Sequence, residues 1–187
     1  MQGSDSELAQ AAARGDERAF HALVDRHAGD MFRLALSLSH GRADAEDICQ
    51  EAFIGAYRGV RKFDGRSSFK TWLTRILLRQ AAKIWKKNKR RNAMSIDAAW
   101  DADSQGESSF SPLEPKAPSV DADTNLDLVQ MIAKLGPDHR QIVILREMHG
   151  MSYEEISQAL NIPRGTVESR LYRARTELRK LLKDYET

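Results

Sequence analysis

From Met151 to Arg175 the chain reads MSYEEISQALNIPRGTVESRLYRAR, and no other stretch restricts the backbone so tightly. Ser152 with Glu155 three residues on has the spacing of a capping box, in which the serine oxygen accepts a backbone N–H and the glutamate reaches back to another. Met151 and Ile156 flank the box as an apolar staple. The helix it starts ends at Leu160, Asn161 tolerates the left-handed conformation of a tight turn, Ile162 plugs the core, and Pro163 opens the next helix. The segment predicts helix, turn, helix.

At 100° per residue, Val167, Leu171, Ala174, Leu178 and Leu181 share one face of the second helix, while Ser169, Tyr172, Arg173, Thr176 and Lys180 face the other way. The first set packs. The second, with hydroxyl, aromatic and guanidinium groups, suits a DNA major groove, where arginine bonds guanine edges or phosphates. Glu168 sits four residues after Arg164, so it can favour the helix dipole and hold neighbouring guanidinium groups; alternatively it can accept a hydrogen bond from cytosine N4.

The rest of the chain is also helical, because apolar residues recur at three and four residue spacing and alternating strand-like runs are missing. The pattern predicts an all-α fold of two small helical domains joined by a flexible acidic linker, with domains over 1–92 and 124–187 and the linker over 93–123. Helices are expected over Ser4–Ala13, from Asp16 through Leu38, from an Asp44 cap through Tyr57, and from a Ser67 or Ser68 cap to about Asn88. Beyond Ala93 the periodicity is lost among Ser, Pro, Asp and Gly; helices then follow over Asn125–Leu135 and His139–Met148, with Pro137 at a first helical position.

A formal net charge of +2 hides strong segregation: residues 1–52 carry −5, residues 53–92 carry +12, residues 93–128 carry −7 and residues 129–187 carry +2. Several differently charged surfaces follow, rather than one small-substrate site. The single cysteine, Cys49, excludes an internal disulfide and leaves a Cys-based zinc site short of ligands. No signal peptide and no apolar run of membrane-spanning length are present, so membrane insertion is not expected and a cytoplasmic location is. No Gly-rich phosphate loop or nucleophile elbow appears, and the histidines at 21, 27, 40, 139 and 149 are scattered, which argues against an enzyme and against a catalytic, metal or cofactor site.

Two helices of the first unit carry chemistry. Asp44, Asp47 and Glu51 recur at i, i+3 and i+7 with Gln50 beside them, placing three carboxylates on one face above inward Ile48 and Ala52. A di-iron site would need Glu-x-x-His pairs, and this helix holds no histidine. Mutual repulsion there calls for an outside partner or for solvent. In FKTWLTRILLRQAAKIWKKNKRR, Arg75, Arg79 and Lys83 make a positive stripe, Phe69, Trp72 and Trp85 are interleaved with it, and Phe63 sits in the turn before. Cations beside aromatic platforms bind unstacked single-stranded bases, although core packing is an equal use for Trp72.

Together, Asp44-Ala-Glu-Asp-Ile-Cys-Gln-Glu51, the basic aromatic helix and Tyr153-Glu-Glu-Ile-Ser…Gly165-Thr-Val-Glu-Ser-Arg-Leu-Tyr-Arg-Ala-Arg175 resemble extracytoplasmic-function RNA polymerase sigma factors of the sigma-70 family. The resemblance implies a non-catalytic initiation subunit that binds core RNA polymerase and promoter DNA, and it implies a possible anti-sigma factor. It places Asp44, Asp47, Gln50 and Glu51 against the polymerase. Lys62, Phe63, Asp64, Ser67, Ser68, Phe69, Trp72, Arg75, Arg79 and Lys83 would meet the melted −10 element, with the loop before Phe69 holding a flipped base. Arg164, Gly165, Thr166, Glu168, Ser169, Arg170, Tyr172 and Arg173 would meet the −35 duplex. The chain departs from the family at Arg79, where Asn is common, at Lys83, where Asp is frequent, and at Glu168, where many relatives are basic.

Overall fold

The structure, a computed structural model, describes residues 3–39, 41–98 and 131–185. Its helices are α1 (Asp5–Ala13), α2 (Glu17–Leu38), α3 (Arg42–Gly59), α4 (Phe69–Ala98), α5 (Pro137–Val143), α6 (Tyr153–Leu160) and α7 (Arg164–Tyr185). A 3-10 turn over Val60–Lys62 follows α3, and a π turn over Ile144–Met148 continues α5. Among the described residues the fold is all-α, as the periodicity predicts.

Local chemistry sets most of the boundaries. Ser4 and Glu7 close α1 with a capping box, and Asp16 caps α2 by accepting the Ala19 N–H at 3.1 Å. Ser68, one of two candidates, caps α4 by accepting the Thr71 N–H at 3.1 Å. The predicted Asp44 cap is corrected: α3 starts earlier, its first backbone bond running from Ala45 N–H to the Gly41 carbonyl, and Asp44 lies in the first turn, where the helix dipole favours its charge. Helix α4 also outlasts its expected end near Asn88. Ala93–Ala98 contains neither Gly nor Pro, and these first residues of the expected linker continue the helix. The remainder of the linker, and the start of the helix expected over Asn125–Leu135, lie outside the described residues; Met131 to Lys134 are helical.

The helix expected over His139–Met148 divides instead. Its second half widens so that His149 N–H reaches the Ile144 carbonyl at 3.1 Å, and Gly150 then turns the chain at φ +63°. Arg146 clamps this turn by donating to the Met151 carbonyl at 2.8 Å. The capping box is present: Ser152 Oγ accepts from Glu155 N–H, and Glu155 accepts from Ser152 N–H at 2.8 Å. Asn161 adopts φ 56°, ψ 48°, the left-handed turn its identity predicts, and Ser157 Oγ donates to the Ile162 carbonyl at 2.6 Å.

In the first unit, Leu23, Met31 and Leu34 of α2 meet Ile48 of α3 and Leu73 and Leu77 of α4, all fully buried. Small residues let α3 approach closely. Ala45, Ala52 and Ala56 have no exposure, and a Cβ added at Gly55 would stand 3.2 Å from Ile76 Cγ2. The second unit closes on Ile142, Ile144, Leu145, Ile156, Val167 and Leu171. The two units also pack against one another, α6 on α4 and the π turn on α2. Among the described residues no helix is long and apolar enough to cross a membrane.

Because the Ser152 cap satisfies a backbone donor at the start of α6, Ser152→Ala should cost about 1 kcal/mol of stability, read as a lower urea midpoint with an unchanged slope.

Candidate functional site

The acidic face of α3 stands on buried Ala45, Ile48 and Ala52, which fix its direction outward. Asp47, Gln50 and Glu51 are exposed and Asp44 is half-buried. The neighbouring Glu46 is paired, accepting from Arg42 Nε at 2.9 Å. Asp47 and Glu51 make no ion pair among the described residues. No group of three or more His, Cys, Asp or Glu among the described residues is placed to hold a metal ion.

The loop between the 3-10 turn and α4 organises itself. Asp64 accepts the Arg66 N–H at 3.2 Å and pairs with Arg66 Nε at 3.1 Å, and Gly65 between them takes φ +72°, which a side chain would resist. Behind the loop stands an aromatic triangle. Phe63, Phe69 and Trp72 have ring centres 5.3 to 5.9 Å apart in tilted or edge-on pairs. Gly59 of α3 makes room for the indole, since an added Cβ would be 3.4 Å from Trp72 Cζ2.

These aromatics are not equivalent. Phe63 and Trp72 are half-exposed, whereas Phe69 is 3% exposed and backed by His27 at 5.5 Å. Phe69 therefore props the two rings and presents no face to solvent. His27 is itself buried and fixed, its Nε2 lying 2.8 Å from Asp5 Oδ2, while Arg26 holds the other oxygen of Asp5 at 2.9 Å. On α4, Arg79 and Lys83 are exposed, as are Lys62, Asp64 and Ser68; Ser67 is half-buried. Arg75 is half-buried too, and its Nε has no hydrogen-bond partner among the described residues.

On α7, buried Val167, Leu171 and Ala174 seat the helix, leaving Arg164, Gly165, Ser169, Tyr172 and Arg173 exposed. Tyr172 is 72% exposed, an unusual placement for a large ring in a folded unit. Three arginines of this helix are already engaged. Arg164 Nε donates to Glu168 at 3.0 Å, Arg170 pairs with Asp138 at 2.9 Å, and Arg175 grips Glu147 through Nη2 at 2.6 Å and Nε at 3.1 Å. That grip makes the Arg175 guanidinium hold its proton more tightly than usual. Arg173 has no ion pair among the described residues and points to solvent.

Sequence reasoning missed two kinds of residue. Asp138 and Glu147 anchor α7 from other helices, a long-range pairing that no spacing reveals. A cavity of about 300 Å³ also opens where the turn between α1 and α2 meets the end of α3, lined by Phe20, Tyr57, Arg58 and Arg61 among others. Tyr57 is 51% exposed there and donates to Glu17 at 3.1 Å; an aromatic residue next to a run of arginines was the available signal.

Residues 23–91 match the family model described as Sigma-70 region 2, and residues 125–178 match that described as Sigma-70, region 4. The RNA polymerase sigma-H factor of Pseudomonas aeruginosa is 36% identical over 97% of this chain and 95% of its own length. The ECF RNA polymerase sigma-E factor of Escherichia coli K12 is 35% identical over 92% of this chain and 91% of its own. Among solved structures, CnrH in complex with the cytosolic domain of CnrY superposes with a TM-score of 0.71 at 27% identity, over 97% of this chain and 99% of that one.

The burial difference within the aromatic triangle has a measurable consequence. Phe69→Ala should cost about 3 to 5 kcal/mol in a urea titration, whereas Phe63→Ala, losing a half-exposed ring, should cost less than half of that.

Proposed function

The chain belongs to the sigma-70 family, in its extracytoplasmic-function branch, and on that footing we propose that its three surfaces divide the work of promoter-specific initiation. As a sigma factor it is an initiation subunit rather than an enzyme. The acidic face of α3 docks on core RNA polymerase, the loop and α4 hold the melted −10 strand, and α7 reads the −35 duplex.

The observation that carries this reading is the pair of unpartnered carboxylates, Asp47 and Glu51, standing on a rigid buried platform while Glu46 beside them is neutralised within the chain. Exposed charges with no internal partner are suited to steering and docking on a basic surface. Phe63 and Trp72, held half-exposed by buried Phe69, offer stacking faces for unpaired bases, with Arg79 and Lys83 available to phosphates. Lys62, Asp64, Ser67 and Ser68 frame the flipped base, and Arg75 joins the phosphate contacts once accessible.

On α7, Arg173, Tyr172, Ser169 and Thr166 provide direct contacts, with Gly165 allowing close approach to the backbone. Arg170, half-buried against Asp138, sets the angle of the helix while keeping its charge near the phosphates. Glu168 presets the guanidinium of Arg164 and, through its other oxygen, discriminates at one base. CnrH is bound in its solved structure by the cytosolic domain of CnrY, which supports a regulatory partner of the anti-sigma type here as well.

Two substitutions test the assignment. Asp47→Asn with Glu51→Gln should weaken core-polymerase binding by roughly tenfold and leave the urea midpoint unmoved; unchanged affinity would remove α3 from the polymerase interface. Glu168→Gln should keep core affinity and shift preference at one −35 position in a promoter-variant transcription assay, and an unchanged profile would reduce Glu168 to holding Arg164.

A further inference from the structure

The contact between the two helical units is chemically specific. Trp85 of α4 donates its indole N–H to the Leu38 carbonyl at the end of α2, at 2.9 Å, and Arg140 of α5 lays its guanidinium 5.1 Å from the centre of the Trp85 ring. The same guanidinium donates to the carbonyls of Ala133 and Leu135, yet its Nε is buried without a hydrogen-bond partner among the described residues. Burial lowers its affinity for its proton. A cation on an indole is a strong contact when water is excluded, but an unsatisfied N–H beside it means that separating the units recovers hydration.

A second contact lies at the π turn. His149 Nε2 stands 3.4 Å from the hydroxyl of Ser37 on α2. The charged groups facing the imidazole are Asp30 and Arg33 of α2 and Lys70 of α4. Asp30 is already shared, pairing with Lys70 at 2.7 Å and with Arg33. Arg146 and Glu147 of the same turn are engaged with the Met151 carbonyl and with Arg175. A proton added to His149 would create a third cation beside one carboxylate that two cations already neutralise.

We propose that the Ser37–His149 contact and the Trp85–Arg140 stack form a proton-gated latch, which holds the second helical unit on α2 and α4 and opens when His149 is protonated. In the latched state α6 lies along α4, on which Thr71, Thr74 and Leu78 are buried on the side opposite Trp72 and Ile76. Opening uncovers that side of α4 alone, since Arg79 and Lys83 are exposed in the latched state already.

The direction of the pH response follows from the environment of the imidazole. Desolvation pushes its pKa below the ordinary value, Lys70 and Arg33 push the same way, and Asp30 opposes them. A group whose proton affinity is lower in the closed state stabilises closure fully above its ordinary pKa of about 6.5. Closure weakens as the pH falls through that value, by up to about tenfold per unit, until the closed-state pKa is passed.

Small-angle scattering on the full chain at pH 7.5 and pH 5.5, with helicity followed by circular dichroism, tests the latch. The wild type should be compact at pH 7.5 and expand at pH 5.5 with helicity retained. His149→Gln should stay compact at both, and Arg140→Ala should be expanded at both. Equal dimensions of the wild type at the two pH values, or an expansion in His149→Gln matching the wild type, would overturn the proposal.

Discussion

Nearly every functional element depends on how α4 packs. Its apolar residues Leu73 and Leu77 lock between α2 and α3, and that one contact fixes which way the remaining faces point. Arg79 and Lys83 are turned outward, Trp72 is pressed against Gly59, and Phe69 is driven into the core as a prop. The alanines and glycines of α3 serve the same packing: a Cβ added at Gly55 would crowd Ile76, and Gly59 lies against the indole of Trp72. An acidic face on α3 and a basic stripe on α4 thus stand on one close-packed core.

The second unit solves a different problem. A short helix must be started firmly and a long one presented at a fixed angle. The capping box and the left-handed Asn161 do the first, while Asp138 and Glu147 do the second by gripping Arg170 and Arg175. Exposed ion pairs are individually weak, but here two of them brace the same helix from separate elements, which restricts its rotation more than its stability. Arg173 and Tyr172 are left facing solvent as a result.

Signals confined to a few consecutive residues were legible in the sequence. Ser152 with Glu155, Asn161, and the i, i+4 spacing of Arg164 and Glu168 all specify local geometry that the folded chain adopts. The acidic face of α3 was equally legible, since helical periodicity alone places Asp47 and Glu51 together. Signals that depend on distant partners were not. Nothing local says that Phe69 is buried while Phe63 is half-exposed, that Arg170 meets Asp138, or that the chain after Val143 widens into a π turn because Arg146 and Gly150 close it. The packing of one unit against the other, through Trp85 and Arg140, belongs to the same class.

Selection from a randomised promoter library shows whether the two helical units read two separate promoter elements. Core RNA polymerase supplemented with this chain would transcribe the library, and initiation sites would be mapped in the selected templates. Two enriched sequence blocks are expected at a fixed spacing upstream of the start, with the downstream block reactive to a single-strand-specific oxidant in the open complex. Enrichment of a single sequence block, or a downstream block that stays unreactive to the oxidant, would rule out reading at two elements.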